Sequence, residues 1–156
     1  MSDSLLTDYM RTRQRVDQLE RIEQGGGAYL TLTRTATLSI TTTGTIITWQ
    51  SEVRSRAITW SGTAITIPSD GYYVIELAFE LNSGSVYTVD LLVNSTDTGR
   101  PALYYGSGSR GRAITTKYFT ASDSVELRMT VAAGRTLLVN AYGTSYESPF
   151  LHIVKL

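Results

Sequence analysis

Alternation of apolar and mixed positions is clearest over residues 65–81, which read I-T-I-P-S-D-G-Y-Y-V-I-E-L-A-F-E-L. Tyr73, Ile75, Leu77, Phe79 and Leu81 are all apolar, and the intervening Tyr72, Val74, Glu76, Ala78 and Glu80 are mixed. A period of two places the first set on one buried face of a strand. The preceding Pro68-Ser69-Asp70-Gly71 predicts a tight turn, because proline presets its own φ while Asp and Gly tolerate the bends that follow. The alternation returns in Tyr87, Val89, Leu91 and Val93, with Thr88 and Asp90 opposite. Threonine-rich alternations predict short strands over 29–33, 36–41 and 45–49, and Ser61-Gly62 predicts a hairpin joining 56–60 to 63–67. Residues 102–105, 113–120, 125–131 and 136–142 continue the series as a meander, for about ten antiparallel strands with the last one. Between them, Gly-Ser-Gly-Ser-Arg-Gly-Arg at 106–112 reads as a mobile hairpin tip.

The closing strand, 150–156, has a different pattern. Phe150, His152, Val154 and Leu156 form one side and Leu151, Ile153 and Lys155 the other, so both sides are largely apolar. A sheet facing water keeps one polar side. One side is therefore expected to fill the core and the other to meet a second subunit, with cover by a loop of the same chain as the alternative. The expected subunit interface of the head is Phe150, His152, Val154 and Leu156 with Tyr72 and Val74.

Residues 4–23 are the one stretch with a helical period. Leu5, Thr12 and Leu19 fall at d and Tyr9 and Val16 at a of a two-heptad seam. Asp8 and Arg15 then lie at g, and Arg13 and Glu20 at e, which pairs opposite charges between neighbouring parallel chains. A helix this short is marginal alone in water, so it is expected to form with partners as a parallel stalk or particle anchor over 1–24. The alternative is an amphipathic helix packed on its own domain. Gly25, Gly26 and Gly27 form a flexible joint to a single head domain, 28–156.

Composition narrows the function. The 156 residues contain no cysteine, which removes disulfide frameworks, thiolate metal sites and thiol nucleophiles. Formal net charge is zero, so the chain lacks the cationic surplus that non-specific nucleic-acid binding needs. No window approaches a membrane span, and the amino terminus shows no cationic start with an apolar run behind it, which disfavours insertion and signal-peptide export.

A leading strand, the Pro68-x-Asp70-Gly71-Tyr72-Tyr73 turn and the alternating strand behind it together resemble the centre of the C1q/TNF-like jelly roll, particularly as found in tailed-phage fibre and capsid-decoration proteins. The resemblance extends loosely over 28–156. Asp123-Ser124-Val125-Glu126-Leu127 is similar to the family's Gly-Asp-x-Val-x-Leu, with Ser122 where Gly is usual, and Tyr146 and the closing strand also fit. It implies an all-β C1q/TNF-like jelly-roll sandwich that forms homotrimers. With the stalk, this reading makes the chain a virion surface protein of a tailed phage, assembled in the host cytoplasm. Residues 1–24 would dock on capsid or tail proteins, and the head would be a decoration knob able to adhere to the host. The rival readings are a tail-fibre receptor-binding protein recognising host saccharide and a secreted C1q/TNF-like ligand module.

Candidate chemistry is sparse, and neither a cofactor nor a metal is expected. His152 is the only histidine and lies in an apolar strand, which points to a packed or interface role. Glu76 and Glu80 share a strand face but stand about 13 Å apart, beyond the reach of a glycosidase carboxylate pair, and read as solvated or interface charges. An enzyme is therefore not expected. The binding candidates are Tyr104, Tyr105, Tyr142 and Tyr146 at strand ends and loops, where tyrosine offers a flat apolar face and a hydroxyl. Trp49 and Trp60 border the same kind of edge, and Arg110 and Arg112 on the supposed tip would suit an acidic glycan.

Overall fold

A computed structural model describes residues 27–97, 104–142 and 146–156. Fourteen strands run through them: β1 Tyr29–Thr33, β2 Leu38–Ile40, β3 Thr45–Ile46, β4 Ser51–Arg56, β5 Thr59–Ser61, β6 Ala64–Thr66, β7 Gly71–Val93, β8 Thr96–Asp97, β9 Tyr104–Phe119, β10 Ser124–Val131, β11 Arg135–Leu137, β12 Asn140–Tyr142, β13 Tyr146–Ser148 and β14 Phe150–Lys155. The predicted stalk, with Leu5, Asp8, Tyr9, Thr12, Arg13, Arg15, Val16, Leu19 and Glu20, lies outside the described residues, as do Gly25 and Gly26 of the joint.

The expected alternation organises the fold. Tyr73, Ile75, Leu77, Phe79 and Leu81 are all buried, as are Tyr87, Val89 and Leu91 further along the same strand. β7 is the spine. Its first half pairs with β14 on one side and with the second half of β9 on the other, and its second half pairs with β10 and the start of β9. One wall is thus β4-β1-β14-β7-β9, and the chain continues through β7 into a second wall built on β10, β6 and β5. Val125, Leu127, Met129 and Val131 of β10 join Leu30, Leu32, Leu151 and Ile153 of the first wall in one apolar core.

The predicted loop at 82–85 and the predicted tip at 106–112 are instead strand. β7 runs unbroken for 23 residues and β9 for 16. Their ladder shifts register between Glu80, opposite Arg110, and Ser85, opposite Gly108, so four β7 residues face a single β9 residue. A bulge of this kind bends a strand and sharpens its twist, and here it carries β7 from one wall to the other. β11 holds the crease: the Leu138 N–H donates to the Glu80 carbonyl, the Thr136 N–H to Asn82 Oδ1, and Arg135 Nη2 to the Gly84 carbonyl. The Phe79 and Tyr87 rings meet edge-to-face, with centroids 4.9 Å apart, over Gly111, where any Cβ would overlap Phe79.

The β5–β6 hairpin forms where expected, with Ser61 opposite Ala64. The order of strands is not a meander, because β14 inserts between β1 and β7. Fourteen short and long strands stand among the described residues in place of the expected ten: the turns at Gly44 and Gly62 fall between strands as expected, whereas β4, ended by Ala57 at positive φ, and the short β8 and β13 are additional.

Candidate functional site

Six residues expected at a subunit interface lie on one face of the first wall, the face turned from the core. Register fixes the rows across it. Tyr29, Val154, Val74 and Thr116 form one row, Thr31, His152, Glu76 and Ile114 the next, and Thr33, Phe150, Ala78 and Arg112 the third. Tyr72 is opposite Tyr118 at the end of the face, where the Leu156 N–H donates to the Tyr72 carbonyl.

Exposure divides this face. Tyr72 is 57% exposed, Tyr118 51% and Leu156 63%, and Ile114 is also exposed. The two tyrosine rings meet edge-to-face with centroids 5.2 Å apart. His152 and Val154 behave differently: strand neighbours within the same chain already bury them. The outer side of β14 is thus partly sealed in the single chain, and the open apolar surface sits beside it.

Sequence reasoning missed Tyr118 and Ile114. The signal was present, since Ala113 and Phe119 are buried on the core side of β9, which leaves two apolar residues of the opposite parity on the outside. That is the same two-sided pattern that singled out residues 150–156.

A polar cluster occupies the middle of the face. His152 Nδ1 lies 2.7 Å from the Thr31 hydroxyl, and Arg54 Nε donates to that hydroxyl at 3.3 Å. Glu76, directly opposite His152 in the ladder, is ion-paired with Arg112. Burial pulls the His152 pKa down from 6.5 to about 4; Glu76 opposes this shift, while Arg54 and Arg112 add to it. Imidazole beside a hydroxyl is the pairing of an activated nucleophile, but Thr31 is only 1% exposed and no substrate can reach it in this arrangement. The pair is structural here.

Three expectations are corrected. Arg110 and Arg112 do not ride a mobile tip; they are consecutive outward residues of β9, each salt-bridged to a β7 carboxylate, Arg110 to Glu80 at 3.2 Å and Arg112 to Glu76. Cross-strand register brings each pair together. Glu76 accordingly is not a solvated charge but a buried one. Trp49 does not border an edge either, because it packs in the core, whereas Trp60 is half-buried with its indole N–H on Glu52.

Of the remaining candidates, Tyr104 and Tyr105 open β9 opposite Val89 and Thr88. Tyr142 and Tyr146 are register partners in the separate β12–β13 hairpin. Their side chains fall outside the described residues. Among the described residues no group of three or more His, Cys, Asp or Glu could hold a metal ion, and no helix is long and apolar enough to cross a membrane.

No protein-family model and no curated protein matches the chain. Solved structures do. The chain is similar to murine APRIL at pH 8.5, with 15% identity over 83% of this chain and 99% of that one and a TM-score of 0.56. It is similar to Eiger TNF from S. frugiperda, with 14% identity over 83% of this chain and 91% of that one and a TM-score of 0.53. At this identity the likeness establishes the fold, an all-β jelly roll of the C1q/TNF-like type.

Proposed function

We propose that the chain is a non-enzymatic, homotrimeric recognition module of the C1q/TNF type, whose copies pack through the outer face of β1, β14, β7 and β9. The observation that carries this reading is the Tyr72–Tyr118 pair with Leu156 and Ile114, four large apolar side chains left open on one sheet face. Exposed large apolar side chains on one sheet face are characteristic of protein interfaces, and aromatic side chains are enriched at their centres. A second copy is the fitting occupant because one face supplies both kinds of group an interface needs. The apolar end excludes water, and the exposed Arg110 and Arg112 further along, each paired within the chain to a β7 carboxylate, give the same face a polar margin.

The fold likeness to murine APRIL and to Eiger TNF supports the reading as a C1q/TNF-like ligand module, and the partner this proposal gives it lies on a cell surface. A virion knob of a tailed phage is the second reading, supported by the two-heptad pattern and glycine joint of the amino-terminal sequence. The test is binding of labelled full-length chain to cultured animal cells and to a panel of bacteria. Saturable binding to animal cells is expected for the ligand module; binding to bacteria alone would replace it with the virion knob, and no saturable binding to either would overturn a recognition role.

A further inference from the structure

The polar cluster at the centre of the face holds the chain's single histidine. The groups facing His152 come from every strand packed around it: Thr31 on β1, Arg54 on β4 beyond it, Glu76 on β7 and Arg112 on β9, with the Phe150 ring edge-on along its own strand at 5.0 Å. With a neutral imidazole the cluster contains one carboxylate and two guanidiniums. A second imidazole proton makes it three cations around one carboxylate, and that carboxylate is already engaged by Arg112. The ring is buried, so water screens little of this repulsion. β14 lies between β1 and β7, so the charge arises in the middle of the wall and not at its rim.

We propose that this cluster is an acid-triggered release for the assembly, in which protonation of His152 loosens β14 between β1 and β7 and disperses copies docked on the outer face. The inference rests on the self-assembly proposed above and adds its regulation. The imidazole is held at about 4 where it sits and regains 6.5 when freed. Linkage then makes any conformation that frees the ring about 30-fold more populated at pH 5 than at pH 7.5.

Light-scattering mass of the full chain at pH 7.5 and pH 5, read beside the proton NMR signal of the imidazole, tests this directly, since a single histidine leaves no ambiguity of assignment. The expected result is an assembly at pH 7.5, smaller species at pH 5, and a midpoint that coincides with the imidazole titration. His152→Asn should stay assembled at both values. An unchanged wild-type mass at pH 5, a dispersal midpoint more than about one pH unit from the imidazole titration, or equal dispersal of His152→Asn would overturn the switch and leave the assembly standing. The titration comparison needs only the wild-type chain, so it decides the matter even if the variant does not fold. A single-chain mass at pH 7.5 would overturn the assembly reading and the switch with it.

Discussion

The Trp60 indole N–H donates to Glu52 Oε2 at 2.8 Å, and this bond joins β5 to β4, the two ends of the hydrogen-bonded path of strands. Among the described residues no backbone ladder pairs β4 with β5; beside the Trp49 N–H, which donates to the Gly62 carbonyl at 2.8 Å, this side-chain bond spans the opening between the edges. Ser55 Oγ donates to the other carboxylate oxygen at 2.6 Å. The Ser55 and Trp60 bonds, in that order, hold the Glu52 carboxyl below its ordinary value.

Removing this link should weaken the fold modestly. Trp60→Phe keeps an apolar ring but loses the donor, and should cost about 1 kcal/mol by urea unfolding. A double-mutant cycle with Glu52→Ala should show positive coupling at pH 7 that fades in acid as the carboxylate takes its proton. Strict additivity at pH 7 would mean that the bond does not close the sheet.

Gly111 sits beneath the crossed rings of Phe79 and Tyr87, and the Tyr87 hydroxyl donates to the neighbouring Arg110 carbonyl at 3.1 Å. Gly111→Ala should therefore lower stability by about 1–3 kcal/mol through overpacking, although alanine suits a strand better than glycine. Shortening the ring in a Phe79→Leu background should absorb much of that increment. Equal losses in both backgrounds would contradict the contact.

His152 also makes single-chain stability depend on pH. Its folded pKa, about 4, lies below the 6.5 of an unhindered imidazole, so the unfolded chain binds more protons between those values. Stability is full above pH 6.5 and falls as pH drops toward 4, by up to roughly 3 kcal/mol, after which this group contributes no further change. Thermal unfolding of wild type and His152→Asn between pH 7.5 and 4 should show the slope in the first and a flatter profile in the second. Parallel profiles would assign the acid sensitivity elsewhere.

Much of the fold was legible wherever burial alone sets the pattern. The alternation in 73–81 and 87–93 identified core faces, with Val93 alone only partly buried, because a one-residue slip would turn every apolar side chain to water. Residues 106–112 misled, since Gly and Ser have weak strand preference of their own. There the partner strand decides: Arg110 and Arg112 fall opposite Glu80 and Ala78, and the ion pairs need a register that composition does not encode. Arg34 was equally hidden. It is 2% exposed and donates to the carbonyls of Ala36 and Thr37 and to Thr48, pinning one turn to a segment well along the chain. On the outer face, the two-sided apolar pattern of the closing strand singled out His152 and Val154, which neighbours in the same chain already cover, while Tyr118 and Ile114 stand open. Parity along a strand says which face a residue takes; how far neighbours cover it depends on strand order.

The most direct measurement is the solution mass of the full chain over a range of concentrations at pH 7.5, compared with a Tyr72→Asp, Tyr118→Asp variant that places charges in the open aromatic pair. The account predicts three copies of the 17.2 kDa chain for the wild type and one for the variant. A wild-type mass of one chain at every concentration, or a variant that keeps the wild-type mass, would contradict the assignment of this face to self-assembly.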